Sequence, residues 1–255
     1  DMNIDMDIEM HMTYKVVDVV DGNFDIEVSY DMLKMKMNTP MGGQELSSES
    51  TNADDQISAM LKTLKSSNFG VVMTPKGKVV EVKNLDKMFE AMTASANQLP
   101  EMQKQQMITQ LKQSFGPDAF RSNFESSTAI FPETEVKIGE TWKTESTYSA
   151  GMNMLLVSNY KLNGVEDGKY LISGISEFKT TPENNTMVTN GMTMKMDLKG
   201  TGASEMKVNQ KSGWTSESEV TQDIAGKIEM KDVPQMPEGM SIDMKMKGKT
   251  RVVSE

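Results

Sequence analysis

The first fourteen residues alternate between apolar and polar side chains almost without interruption. Methionine, isoleucine and tyrosine occupy the even positions from Met2 to Tyr14, whereas acidic and other polar residues occupy the odd positions. A period of two places the apolar side chains on one face of a β-strand and the polar side chains on the opposite face. This segment therefore predicts a long, half-buried strand.

A second strand is predicted after Asp21-Gly22-Asn23, a turn sequence in which glycine supplies the positive φ of a tight hairpin. The apolar positions of this second strand change parity at Met32 and Leu33, which predicts a β-bulge. The chain from Asp1 to Met37 is therefore interpreted as one antiparallel hairpin with a methionine-rich face.

Between residues 52 and 127 the apolar residues recur at helical spacing, which predicts helices with one buried face. Asn52 and Asn84 are suitable N-cap residues for two of these helices, and Pro100 suits the first turn of a third. The other predicted elements of this region are a hairpin turn at Pro75-Lys76-Gly77 and a short helix that contains Phe120 and Phe124.

After Phe131 the alternating pattern returns, and in several strands methionine again alternates with charged residues. This alternation is typical of half-buried antiparallel strands. Strands are predicted at 141–149, 152–163, 169–179, 187–199, 203–209, 213–224, 226–231 and 240–253.

The first hairpin has a possible repeat later in the chain. Placing Tyr14 on Tyr160 aligns the two segments without gaps, and Asp21-Gly22 then falls on Asp167-Gly168. Two unrelated hairpins with a glycine turn would also look alike, so the similarity leaves two interpretations open. The chain 1–255 is either a single β-rich domain or a pseudo-duplicated one. In the second case its β units are 1–127, with the helical insertion 52–127, and 131–255.

We expect an α+β fold in which a large, curved antiparallel β-sheet forms a half-barrel. The helical insertion would pack on the concave face of that sheet and bury the methionine side chains.

Charge and composition exclude several functions. The formal net charge of −10 disfavours nucleic acid as a partner, because such a surface repels phosphate. Cysteine is absent, which excludes disulfides and thiolate metal sites. No apolar run approaches the roughly 20 residues that span a bilayer. Because the chain begins at Asp1 within a strand pattern, we expect export to the periplasm or outer membrane after removal of a leader.

Methionine makes up 26 of the 255 residues. Its unbranched, polarizable side chain adapts to varied apolar shapes, so the methionine faces could be a soft core or the wall of a ligand pocket. Strand parity and helical spacing select seven residues as the candidate lining of an apolar cavity: Met6, Met10, Met35, Met88, Met92, Met194 and Met244.

Other candidate sites are better explained by strand structure. The Met-x-Met runs suit copper(I), but residues two apart on a strand also satisfy a core pattern without any metal. His11 falls on the acidic, solvated face with no second nitrogen or sulfur ligand. The acidic residues of the first strand do not converge as a calcium loop does. They could instead pair with Lys245, Lys247 and Lys249 if the two terminal strands are neighbours.

No catalytic signature occurs in the chain. It has no Gly-x-Ser-x-Gly, phosphate loop, dinucleotide fingerprint or His-Glu-x-x-His motif, and no pair of carboxylates stands out. We therefore expect a protein without enzymatic activity and without a cofactor.

Two segments resemble an uncharacterised family. Thr74–Val82 contains a Gly-Lys-Val hairpin, and Phe131–Trp142 has the spacing P-x-x-x-V-x-x-G-x-x-W at the entry to the second β region. In both respects the chain resembles a domain of unknown function found in exported, often lipid-anchored proteins of Gram-negative bacteria. In layout it is also similar to lipoprotein-carrier half-barrels, which hold acyl chains under a helical lid. No binding residue of those carriers can be matched here.

Together these observations predict a cell-envelope protein that binds a lipid or other apolar ligand in a methionine-lined groove. The alternative is a structural or protein-interaction module in which methionine only fills the core. The oligomeric state does not follow from the sequence.

Overall fold

The computed structural model is mostly β, with antiparallel sheets and a few short helices. It describes residues 5–39, 42–50, 56–95, 116–149, 153–182, 185–189, 192–231 and 239–254. In this part of the chain the helices are α1 (Gln56–Lys65), α2 (Leu85–Ser95) and α3 (Pro117–Thr128). The strands are β1 (Asp5–Val20), β2 (Asn23–Thr39), β3 (Gly42–Ser47), β4 (Phe69–Met73), β5 (Val79–Lys83), β6 (Thr141–Ser149), β7 (Asn153–Glu166), β8 (Lys169–Lys179), β9 (Thr186–Thr189), β10 (Met192–Asn209), β11 (Thr215–Lys231) and β12 (Met240–Val253).

The chain divides into two compact units, Asp1–Arg121 and Ser122–Glu255. The sheet of the first unit has the strand order β1-β2-β4-β5, and β3 pairs with the far end of β2. The sheet of the second unit has the order β12-β11-β10-β8-β7-β6, and the short β9 pairs with β10. All the pairings within these sheets are antiparallel.

The core of the first unit lies on one face of β2 and β4. Ile26 and Val28 on β2 and Val71 on β4 are fully buried. The ring of Phe69 meets the edge of Phe120 from α3 at a centroid distance of 4.9 Å, a geometry that aromatic pairs favour. The predicted apolar stripe of α2 is confirmed, because Leu85, Met88 and Phe89 are buried.

The core of the second unit contains two apolar clusters on its sheet. One joins Tyr160, Leu162, Ile172, Met206 and Val208 to Ile130, which lies in the irregular segment before β6. The indole nitrogen of Trp142 donates a hydrogen bond of 2.7 Å to the carbonyl oxygen of Ile130 and so fixes this segment on the sheet. The other cluster consists of Met154, Leu156, Phe178, Met196, Leu198 and Ile224.

The hairpins β1–β2 and β7–β8 have the same geometry from the tyrosine to the turn. Tyr14 lies opposite Val28, and Tyr160 lies opposite Gly174. Each pairing is then interrupted by one extra residue, after Val16 in the first hairpin and after Leu162 in the second. Each turn is an Asp-Gly pair in which both residues have positive φ, as a two-residue hairpin loop requires.

The correspondence extends to the next two strands of each sheet. β4 pairs with β2 as β10 pairs with β8, and β5 pairs with β4 as β11 pairs with β10. The register breaks at Val72/Met73 in the first unit and at the equivalent Lys207/Val208 in the second. Both units therefore contain four strands in the same order with two equivalent irregularities, whereas the bulge at Asp31 of β2 has no counterpart in β8. That the two arose by duplication stays a prediction.

Several predictions need correction. The single half-barrel is wrong, because the strands form two sheets and neither sheet is closed or strongly curled. The predicted bulge of β2 is present but lies at Asp31, one residue before the predicted position. The proposed Asn52 cap and the helix after Pro100 lie outside the described residues.

The pairing of the terminal strands within one sheet was also wrong. In the described residues β1 pairs only with β2 of the first sheet, and β12 pairs only with β11 of the second. Each of these strands lies at the edge of its own sheet.

Candidate functional site

The clearest apolar surface of the second unit is a methionine face on β10, β11 and β12. Register pairing places its residues in adjacent rows, because residues two apart on a strand share a face. We define the methionine face by these residues: Met194, Met196, Leu198, Ile224, Ile228, Met230, Met240, Ile242, Met244 and Met246.

Burial changes gradually across the methionine face. Met196, Leu198 and Ile224 are almost fully buried and belong to the second core cluster. Ile228, Met244 and Met246 pack against that cluster and are only partly buried. At the far end Met240 and Ile242 are 38% and 42% exposed. A packed core therefore continues into an accessible apolar surface.

The middle of this face lacks one side chain, because a glycine occupies the position. Gly226 lies in the row between Leu198 on β10 and Met244 on β12 and contributes no side chain. It has a φ of 157°, and a Cβ there would clash with the backbone of Asp197. Only glycine fits this position, so β11 contributes no side chain between Leu198 and Met244.

The opposite face of the same strands is charged and solvated. Lys247 pairs with Asp223 at 3.3 Å and Lys249 pairs with Glu219 at 3.0 Å, both with exposed side chains. A hydrogen bond and the charge of Lys207, at 3.0 Å, hold the pKa of Glu217 below its usual value. An open depression of about 430 Å³ on this face has six charged residues among the twelve that line it, so an apolar ligand there would remove charged groups from water.

A second depression, of about 340 Å³, lies in the first unit beside the start of α2. Its lining is mostly polar and consists of Ser67, Asn68, Asn84, Lys87 and Met88. Met88 is buried in the core under it and is 4% exposed. This depression is therefore not the methionine-lined groove that the sequence predicted.

The seven predicted lining residues are divided between the units. Met194 and Met244 lie on the methionine face, Met10 is 49% exposed on β1, and Met88 is buried in α2. Met6, Met35 and Met92 belong to β1, β2 and α2, and their side chains lie outside the described part of the structure. That all seven line one cavity stays a prediction.

Sequence reasoning did not select Ile228, Met230 or Met246 as lining residues, although the structure places all three on the methionine face. Their alternation in β11 and β12 is visible in the sequence, but the face becomes evident only when the register between the strands is known. Neighbouring strands bring residues about 4.8 Å apart that are far apart in the chain.

The single histidine and the acidic residues do not form a metal centre in the part of the chain that the structure describes. His11 Nε2 lies 3.4 Å from Glu9 Oε1, and both side chains are exposed. Among the described residues, no three His, Cys, Asp or Glu side chains are arranged to hold a metal ion. No described helix is long and apolar enough to cross a membrane.

Comparison with known proteins gives a family and no function. No curated protein and no solved structure matches the chain. The model of a family of unknown function, DUF6263, matches residues 21–215, which is more than half of the chain. The match includes both segments on which the resemblance to an uncharacterised family was based. The chain therefore belongs to the family of unknown function DUF6263.

Proposed function

We propose that this protein binds an apolar ligand, such as the acyl chain of a lipid, on the methionine face and that it acts without catalysis. The observation that carries the proposal is the row of partly exposed apolar residues, among them Met194, Met230, Met240 and Met244, that continues directly from a packed core. Isolated exposed apolar residues are normal, whereas a contiguous patch of them is typical of a binding surface.

The size and chemistry of the face suit an extended hydrocarbon. Seven residues of strand, from Met194 to Gly200, span about 20 Å, and three adjacent strands span about 10 Å. Each methylene that leaves water contributes about 0.8 kcal/mol. Methionine side chains adapt to the shape of a flexible chain at small cost.

A location at the cell envelope is part of the proposal. It is supported by the resemblance of the Thr74–Val82 and Phe131–Trp142 segments to exported, often lipid-anchored proteins. Fractionation of cells that express the full-length gene tests it, and recovery of the protein from the cytosol alone would contradict it.

The ligand proposal is tested with delipidated protein and a fluorescent fatty acid. We expect saturable binding that Met194→Gln/Met244→Gln weakens at least about tenfold, because two amide side chains would then have to lose water on the face. Ile175→Gln, at a residue that is 67% exposed on the opposite face of the same sheet, is the control and should bind as the wild type does. Absence of saturable binding in the wild type contradicts the proposal.

A structural or protein-interaction module is the second candidate. The observation that favours it is the burial of Met88, Met154, Met196 and Met206, which act as ordinary core residues. If native mass spectrometry of gently purified protein shows no bound lipid and the fatty acid does not bind, this candidate is the better one.

A further inference from the structure

Strand β1 presents an acidic edge. Among the described residues, β1 pairs only with β2. The outer edge of this strand of 16 residues is therefore unpaired in the described part of the chain. Asp7 and Glu9 are exposed on its solvated face, and Met10 on the other face is 49% exposed. An unpaired edge with exposed apolar side chains is a template for the addition of another strand.

Strand β12 presents a basic edge with the same alternation. In the described residues it pairs only with β11, and Lys245, Lys247 and Lys249 are exposed on its solvated face. The side chains of Lys247 and Lys249 are 83% and 64% exposed although each has a carboxylate partner on β11. Lys245 lies opposite Ala225 and has no acidic neighbour across that pairing.

We propose that β1 of one copy of this protein adds to β12 of a second copy, in antiparallel orientation. The two strands carry opposite charges with the same spacing of two residues. In the register that places Asp7 opposite Lys247, Glu9 faces Lys245 and His11 faces Asp243. Met10 then lies opposite Met244 on the other face, so the methionine face of one copy continues onto β1 of the next.

In-register pairing of two like edges brings like charges together. Two β1 strands aligned in parallel would place Asp7 and Glu9 opposite the same residues of the partner copy. Two β12 strands would do the same with their lysines. Because like charges directly opposite each other destabilise a strand pair, the β1–β12 contact is favoured over these two pairings. A parallel β1–β12 pair with matched charges would place Met10 opposite Thr250, whereas the antiparallel pair places it opposite Met244. The apolar face of the contact favours the antiparallel orientation, in which methionine lies opposite methionine.

The internal correspondence of the two units supports an added strand at β1. Strand β7 has the position of β1 in the second unit, and its outer edge is covered by β6 along Thr141–Ser149. The residues of β7 that β6 covers, Asn153 to Lys161, correspond to Asp7 to Lys15 of β1. The second unit thus shows what covers such an edge, and β12 of another copy supplies a strand of suitable length to the first.

The contact joins β1 of one copy to β12 of another. After two copies pair, one of them still has an unpaired β12 edge and the other still has an unpaired β1 edge. Such a contact produces open chains unless its rotation closes a ring. We therefore expect oligomers that grow with protein concentration and shrink with salt, since exposed charges are screened beyond about 10 Å at 0.1 M ionic strength. This inference does not depend on the proposed ligand.

Sedimentation velocity over a range of protein concentrations, at low and high salt, tests the contact. Lys245→Glu/Lys247→Glu, and separately Asp7→Lys/Glu9→Lys, should each raise the dissociation constant about tenfold or more, because two attractive pairs become repulsive. An equimolar mixture of the two variants should associate again, since each then carries the edge that complements the other. Lys137→Glu/Lys211→Glu changes the net charge as the first variant does but alters only exposed loop lysines, and it should associate as the wild type does.

Three results would overturn the inference. The wild type could remain monomeric at about 100-fold above the concentration expected for a weak, micromolar contact. The charge reversals could leave association unchanged, which would place the contact on another surface. Finally, the mixture could fail to associate although circular dichroism shows both variants folded, which would mean that β1 and β12 do not pair between copies.

Discussion

At the scale of single residues, the buried phenol of Tyr30 makes the stability of the first unit sensitive to alkaline pH. Tyr30 lies on β2 with its ring 5.9 Å from that of Phe69, and burial raises its pKa from 10.0 to about 12. A pKa that is higher in the folded state means that the unfolded state loses the proton first. The stabilisation is therefore complete below pH 10 and is lost as the pH rises towards about 12.

We predict that Tyr30→Phe makes the first unit less sensitive to alkaline pH. The wild type should lose about 1–2 kcal/mol more unfolding free energy than the variant between pH 9 and pH 11.5. Urea unfolding followed by circular dichroism measures both proteins, with pH 7 as the reference at which both side chains are neutral. Lys83, whose pKa is raised by its hydrogen bond to Asp25, is present in both proteins. Its contribution to the pH dependence of the unfolding free energy therefore cancels in the comparison. Parallel curves would show that Tyr30 does not contribute.

At the scale of elements, the alternation of apolar and polar residues predicted most strands. The prediction is wrong where it ends a strand near a glycine. Strands β6, β8 and β12 have the predicted bounds. The predicted strands 187–199 and 203–209, however, are largely one strand, β10, which runs through Gly200 and Gly202. Glycine is unfavourable inside a strand in isolation. Here large side chains lie over the glycines: Ile224 covers Gly200 and Phe178 covers Gly202.

The candidate site was predictable only in part for a related reason. Parity assigned Met194 and Met244 to an apolar face, and the structure places both on the methionine face. The sequence did not indicate that Met88 belongs to a filled core while Met10 is half exposed, because both positions satisfy their apolar patterns. Burial depends on what packs against a face, and that contact comes from residues distant in the chain.

The hairpin β7–β8 provides a matched test of this covering of glycines. A Cβ at Gly174 would lie 2.6 Å from the ring of Tyr160, whereas a Cβ at Gly164 would meet nothing within 4 Å. We expect Gly174→Ala to lower the unfolding free energy by about 1–3 kcal/mol, since the ring would have to move. Gly164→Ala should change it by less than about 0.5 kcal/mol. Equal unfolding free energies for the two variants in urea would contradict the prediction.

At the scale of the whole molecule, each unit has its own sheet and its own core, and these are features of independently cooperative regions. The two tryptophans of the chain, Trp142 and Trp214, both lie in the second unit. Tryptophan fluorescence therefore reports the unfolding of the second unit, whereas circular dichroism reports strands of both. This difference allows the two units to be followed separately in the intact chain.

We predict that a core substitution in one unit shifts only the transition of that unit. Ile26 on β2 is fully buried, so Ile26→Ala should destabilise the first unit by about 2–5 kcal/mol. Its effect should appear as an earlier phase in circular dichroism, with the midpoint of tryptophan fluorescence unchanged. Ile224→Ala, at a residue 1% exposed on β11, is the counterpart and should move the fluorescence midpoint. If Ile26→Ala moves both signals together, the chain unfolds as one cooperative domain, because destabilising the first unit would then destabilise the second equally.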